Sequence, residues 1–168
     1  MRRPALCALL IGCSIACNGG LEPTPAGCPS GFVGICGTVT YRGAVPESTD
    51  VIFTVAYETF PTSTADLFTF KPSLPPTLPA GGAPFHYSIP LPAGHYAWVV
   101  AVWKKLGTLS PNGSNADTLL RAAGFYRNPA DTAQPGVVDV GTGPTNSIDF
   151  VVDFAHMRRI CDFFPPCP

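Results

Sequence analysis

The strongest constraint on this chain is the stretch Leu91–Lys105, LPAGHYAWVVAVWKK. A Pro-Ala-Gly turn signal runs directly into Tyr96–Trp103, where every residue is apolar and β-branched or aromatic side chains predominate. A run of this length and composition, bounded by a turn, reads as a central strand. Side chains alternate along a strand, which places Tyr96, Trp98, Val100 and Val102 on one face and Ala97, Val99, Ala101 and Trp103 on the other. Both faces are apolar, so neither suits water. When two sheets pack together, one face fills the space between them and something else must cover the other. Two long segments are available as cover, Phe60–Pro84 and Leu106–Pro135. The first holds six prolines and no strand periodicity. Its Phe60, Leu67, Phe68, Phe70, Leu74 and Leu78 are too apolar for a solvated linker, so it is expected to lie against the sheet.

With 20 Pro and 17 Gly in 168 residues, the rest of the chain favours short strands joined by turns over long helices. Ile35–Tyr41 alternates as a half-buried strand. Val51–Glu58 follows with Val51, Phe53, Val55 and Tyr57 expected to face the core. Phe85–Ile89, Gly136–Val140 and Ile148–Phe154 complete the pattern, the last with Ile148, Phe150, Val152 and Phe154 inward and Asp149 and Asp153 outward. Asp117–Ala123 reads as a helical turn. The expected fold is an all-β sandwich of about six or seven strands with long Pro-rich covering loops, one domain over residues 35–154.

The N-terminus reads as a targeting segment. Arg2 and Arg3 precede a short apolar run, Ala5–Ala16, too short to span a bilayer. The run ends in Ser14-Ile15-Ala16-Cys17, followed by Asn18-Gly19-Gly20, and resembles the lipobox of bacterial lipoprotein signal peptides. That resemblance implies a signal peptide over residues 1–16 and lipidation of Cys17. Leu10-Ile11-Gly12-Cys13 makes Cys13 the alternative. Asn18 after the cysteine is what that family's sorting pattern associates with the outer membrane. Residues 17–34, rich in Pro and Gly, then form a tether. Cleavage removes Arg2 and Arg3, leaving 8 basic against 11 acidic residues and a charge of −3. No basic field for nucleic acid remains.

Four further cysteines, Cys28, Cys36, Cys161 and Cys167, lie in two close pairs at opposite ends of the domain. In an exported chain they read as two disulfides, with local or crossed pairing open. The loop-entropy relation assigns about 2–3 kcal/mol to a short loop and about 4–5 kcal/mol to a bridge joining the termini. Their spacing is not that of a zinc site.

CGTVTYRG, together with FHYSIPLPAGHYAWVVAVW, resembles the carboxypeptidase regulatory-like, transthyretin-like domain. FPTSTADL, VAVWKK, GFYRNPAD and SIDFVVDF are similar to bacterial lipoproteins carrying one such domain. The resemblance spans Ile35–Phe154 and implies an Ig-like or prealbumin-like sandwich with a non-enzymatic role. The Cys-containing tail, residues 155–168, lies outside it. The ring-opening hydrolases of transthyretin-like shape end in Tyr-Arg-Gly-Ser, whereas this chain ends in CDFFPPCP.

The residues carry no catalytic or cofactor signature. His86 and His95 flank one turn but bring no third ligand at metal spacing. Asn112–Asp117 has calcium-loop oxygens without the acidic density calcium needs. Ser, His and Asp occur without a nucleophile elbow. Lys104 and Lys105 read as solubilising a strand end, and Arg127 with Asp131 as a local ion pair. Phe68, Trp103 and Tyr126 are the candidate ligand surface. Function is therefore expected to be non-catalytic: a lipid-anchored binding or assembly module of the bacterial cell envelope, its partner another envelope protein or a glycan. A carbohydrate- or small-ligand-binding lipoprotein is the alternative, and an open platform of Trp98, Trp103 and Tyr126 would favour it; an envelope hydrolase of transthyretin-like shape is the third reading and needs a cleft where His86 or His95 meets Arg or Asp.

Overall fold

Two β-sheets pack against each other, and the apolar stretch supplies the middle strand of the larger one. The computed structural model describes residues 27–163. The first three strands are β1 (Gly34–Arg42), β2 (Thr49–Tyr57) and β3 (Thr77–Leu78). After β4 (Phe85–Pro90) the Pro-Ala-Gly turn leads into β5 (Gly94–Tyr96) and β6 (Trp98–Lys105). A four-residue helix, Ala116–Leu119, precedes β7 (Leu120–Phe125). The chain then forms β8 (Val138–Val140), β9 (Pro144–Thr145), β10 (Phe150–Asp153) and β11 (Arg158–Arg159).

The smaller sheet runs β10-β1-β4, with β9 also on β1, and the larger runs β11-β7-β6-β2-β3. β5 and β8 form a separate two-stranded ribbon. In the larger sheet β6 pairs antiparallel with β2, from Tyr57 opposite Trp98 to Thr49 opposite Lys105, and with β7 on its other side. β1 pairs antiparallel with β4 but parallel with β9 and β10.

Both faces of β6 are buried, each in its own core. Val99, Ala101 and Trp103 face the smaller sheet and meet Ile35, Val39, Tyr87, Ile89, Phe150 and Val152. Trp98 and Val100 face away from it and pack with Val55, Tyr57, Leu67, Leu119 and Ile160. The second core forms because the covering segments come down on the sheet. Leu67 sits on a 3-10 turn, Asp66–Phe68, within Phe60–Pro84, and Leu119 ends the helix that follows the Leu106 loop. A third cover was not anticipated. The C-terminal segment adds β11 to the edge of β7, then turns through Ile160–Phe163 onto the same face.

Four expectations are corrected. On β2, Val55 and Tyr57, with Phe53 packed against them, face the covered outer core, while Ile52 and Ala56 face the smaller sheet. Alternation reveals that faces differ, but not which sheet each one meets. Second, β5 and β6 are not one strand. A bend at Ala97 separates them, so Tyr96 joins the inter-sheet core and does not share a face with Trp98. Third, Leu120–Phe125 is a strand. Its Leu-Arg-Ala-Ala composition favours helix, but pairing with β6 and β11 on both edges overrides that weak local preference. Fourth, the eleven strands of the described residues exceed six or seven because five of them are only two or three residues long.

Cys28 and Cys36 are joined, eight positions apart, so neither ties the two ends of the domain together. This short loop belongs to the range of about 2–3 kcal/mol. Cys161 is also disulfide-bonded, and Cys167 lies outside the described residues, as do Cys13 and Cys17.

Candidate functional site

The outer core does not close completely. Between the larger sheet and its covers lies a pocket of about 220 Å³. Its floor is the outward face of three strands: Phe53, Val55 and Tyr57 from β2, Trp98 and Val102 from β6, and Leu120 from β7. Leu67, Phe68, Phe70 and Pro75 wall it from the first excursion, Pro111 from the second and Ile160 from the C-terminal turn. Every lining side chain is apolar or aromatic. Phe68 is 41% exposed at the mouth, and neighbouring Leu74 stands 87% exposed.

Two of the lining side chains carry a polar atom. The Tyr57 hydroxyl donates to the Leu67 carbonyl at 2.8 Å, fixing the covering turn to the sheet. Burial pushes its phenol well above the ordinary value, so it stays a neutral donor. The indole Nε1 of Trp98 has no hydrogen-bond partner, although Trp98 is only 1% exposed. A buried donor left unpaired costs about 1–3 kcal/mol, and an acceptor entering the pocket near it would recover part of that. Around Trp98 stand Tyr57, Phe60 and Phe163, with ring centroids at 5.5, 5.0 and 5.0 Å.

The three expected surface aromatics do not come together. Phe68 alone belongs to this pocket. Trp103 points between the sheets, 5% exposed, and its Nε1 donates to Thr49 Oγ1 at 2.8 Å. Tyr126 packs against the same inter-sheet core. With Trp98 buried as well, these residues form no solvent-open platform. Phe53, Val55 and Tyr57 were not foreseen as site residues, and Trp98 was considered only as part of an open platform. Their signal was the same period-two pattern that was read as core, and only the position of the covers turns that face into a pocket.

The other candidates separate likewise. His86 Nδ1 lies 3.1 Å from Thr38 Oγ1 across β4 and β1, whereas His95 Nδ1 lies 2.8 Å from Asp139 on the β5–β8 ribbon. Among the described residues no three His, Cys, Asp or Glu side chains group as metal ligands. Arg127 does not pair with Asp131. It donates to the Thr132 carbonyl at 2.5 Å, while the Asp131 carboxylate accepts from the Ala133 N–H. Lys104 pairs with Asp50. Asn112 caps its own loop by accepting from the Ser114 N–H and hydroxyl at 2.9 and 2.7 Å.

Asp117, at the start of the short helix, ties one cover to another. It accepts from Arg159 and from the Cys161 N–H, the latter at 3.0 Å. Burial alone would raise its pKa, but the bonds from Arg159 and Cys161 outweigh burial and hold the carboxyl below the ordinary range. Its folded-state value is depressed, so the contribution is fully present above the unfolded carboxylate range. It is lost as pH falls through the lowered folded value. Asp117→Ala is expected to cost on the order of 1–3 kcal/mol. Urea unfolding at neutral pH checks this, and the difference from wild type should shrink in acid. The chain matches no family model, no curated protein and no solved structure.

Proposed function

We propose that this chain is a non-catalytic, lipid-anchored binding protein of the bacterial cell envelope, held at the outer membrane through Cys17. In this reading its sheets form an Ig-like or prealbumin-like sandwich of the carboxypeptidase regulatory-like kind, and its ligand is small, neutral and apolar. The observation that carries the ligand class is the wholly apolar pocket whose floor includes Trp98, a residue with an unpaired indole N–H. An apolar cavity of about 150 Å³ holds benzene. The present 220 Å³ has room for a substituted ring or a short branched chain, and the orphan donor selects one that carries an acceptor.

Acetophenone and ethylbenzene test this, being alike in shape but only the first having a carbonyl acceptor. The ketone is expected to bind about fivefold tighter, the equivalent of ~1 kcal/mol for one hydrogen bond, and to shift the Trp98 indole N–H resonance. Trp98→Phe should abolish the preference. If neither compound binds, the small-ligand reading fails and the assembly reading stands. That second reading draws on Leu74, Leu106 and Leu109, which the covering loops leave 87%, 61% and 64% exposed. Anchoring is tested separately: labelling of the full chain by a radioactive fatty acid should vanish in Cys17→Ala. Labelling that persists there but vanishes in Cys13→Ala would move the anchor.

A further inference from the structure

A second pocket, about 160 Å³, lies where the two sheets close on one another, between β7 and β10. Arg42 reaches it from the end of β1, Arg127 from just beyond β7 and Arg158 from β11. Three of the eight basic residues that follow the signal segment therefore converge on one small site, in a part of the chain with an acidic excess. Of the other arginines, Arg159 pairs with Asp117 and Arg121 donates to the Asp117 and Leu120 carbonyls, while Arg127 in the pocket commits one nitrogen, Nη1, to the Thr132 carbonyl. None of the three in the pocket has a carboxylate partner among the described residues. Asp153, the one acid lining it, is engaged by His156 Nδ1 and the Ala155 N–H, both at 3.0 Å.

Two of the guanidinium groups are oriented by aromatic rings. Arg127 lies over Phe125 at 4.6 Å and Arg158 over Phe163 at 4.2 Å. A ring occupies the flat face of a guanidinium and leaves its N–H edges available. Three guanidinium groups facing a single carboxylate leave an excess of positive charge that repels itself, and an anion placed among them removes that cost while accepting their hydrogen bonds. A carboxylate matches one guanidinium fork with its two oxygens. A phosphate monoester offers three oxygens and a charge near −2, enough to engage several forks at once.

We infer that Arg42, Arg127 and Arg158 form a binding site for a phosphate monoester at the seam between β7 and β10. The site is separate from the apolar pocket and does not depend on what that pocket holds. Calorimetric titration of the intact protein with phenyl phosphate and with benzoate tests it. Phenyl phosphate is expected to bind at least tenfold tighter than benzoate, and more weakly as salt is raised. Arg42→Gln, on an exposed strand end, should weaken binding about tenfold, as should Arg158→Gln, while Arg121→Gln leaves it unchanged. No binding of phenyl phosphate, benzoate binding as tightly, or affinity indifferent to the two pocket arginines would overturn the assignment.

Discussion

Trp98→Ala is expected to lower stability by about 3–5 kcal/mol, the range for removing a large buried aromatic side chain. Trp98 is among the largest fully buried side chains, and it sits where strand and cover meet. Rings from β2, from the first excursion and from the C-terminal turn surround it, so its loss takes contacts from all of them at once. The void would also merge with the neighbouring pocket, which prevents the site from collapsing to limit the damage. Domains of this size hold roughly 5–15 kcal/mol in reserve, so the variant should melt far below wild type. Urea unfolding followed by the fluorescence of the remaining Trp103 measures the loss. A cost under about 1.5 kcal/mol would mean that the covers rest loosely on the sheet. Trp98→Phe should be milder, since it keeps a ring and removes a buried donor that nothing satisfies.

Gly124→Ala comes second, at about 3 kcal/mol, the upper end for forcing an extra carbon into a packed site. A Cβ there would stand 1.9 Å from the Val151 carbonyl oxygen and 2.8 Å from its carbon. Both are backbone atoms of β10, so no side chain can turn aside. β7 and β10 belong to different sheets, and this glycine is what lets them approach. Gly141 is the natural control: an added Cβ meets nothing within 4 Å, and Gly141→Ala should fall within about 0.5 kcal/mol of wild type. Equilibrium unfolding of the pair gives the comparison directly. If Gly124→Ala unfolds within 1 kcal/mol of Gly141→Ala, the two strands are not held as closely as described.

Much of the architecture could be read from composition and alternation, because burial follows from apolarity however the chain is threaded. The double-sided β6, the inward set Ile148, Phe150, Val152 and Phe154, and the descent of Phe60–Pro84 onto the sheet are all of this kind. What alternation cannot supply is partnership. Phe53, Val55 and Tyr57 were recognised as one face, yet the identity of the layer opposite depended on where residues 60–76 and 160–163 come to rest. β7 shows the limit from another side: a segment that opens with four good helix formers, Leu120–Ala123, becomes a strand once β6 offers an open edge. The apolar pocket was half visible, through Phe68 and the excursion that bears it. The basic seam was not, because Arg42, Arg127 and Arg158 are scattered over more than a hundred positions and meet only through closure of the two sheets.

The parallel pairing of β1 has a bearing on how the chain reaches this state. Its neighbours on one side, Pro144 opposite Gly34 and Phe150 opposite Val39, are made more than a hundred residues later. Closing so large a loop is slow, and no local hairpin can stand in for it. Until residues 144–153 are available, β4 is the only native partner among the described strands that β1 can pair with. A fragment ending before Pro144 would keep that bare edge, an open template for a second copy.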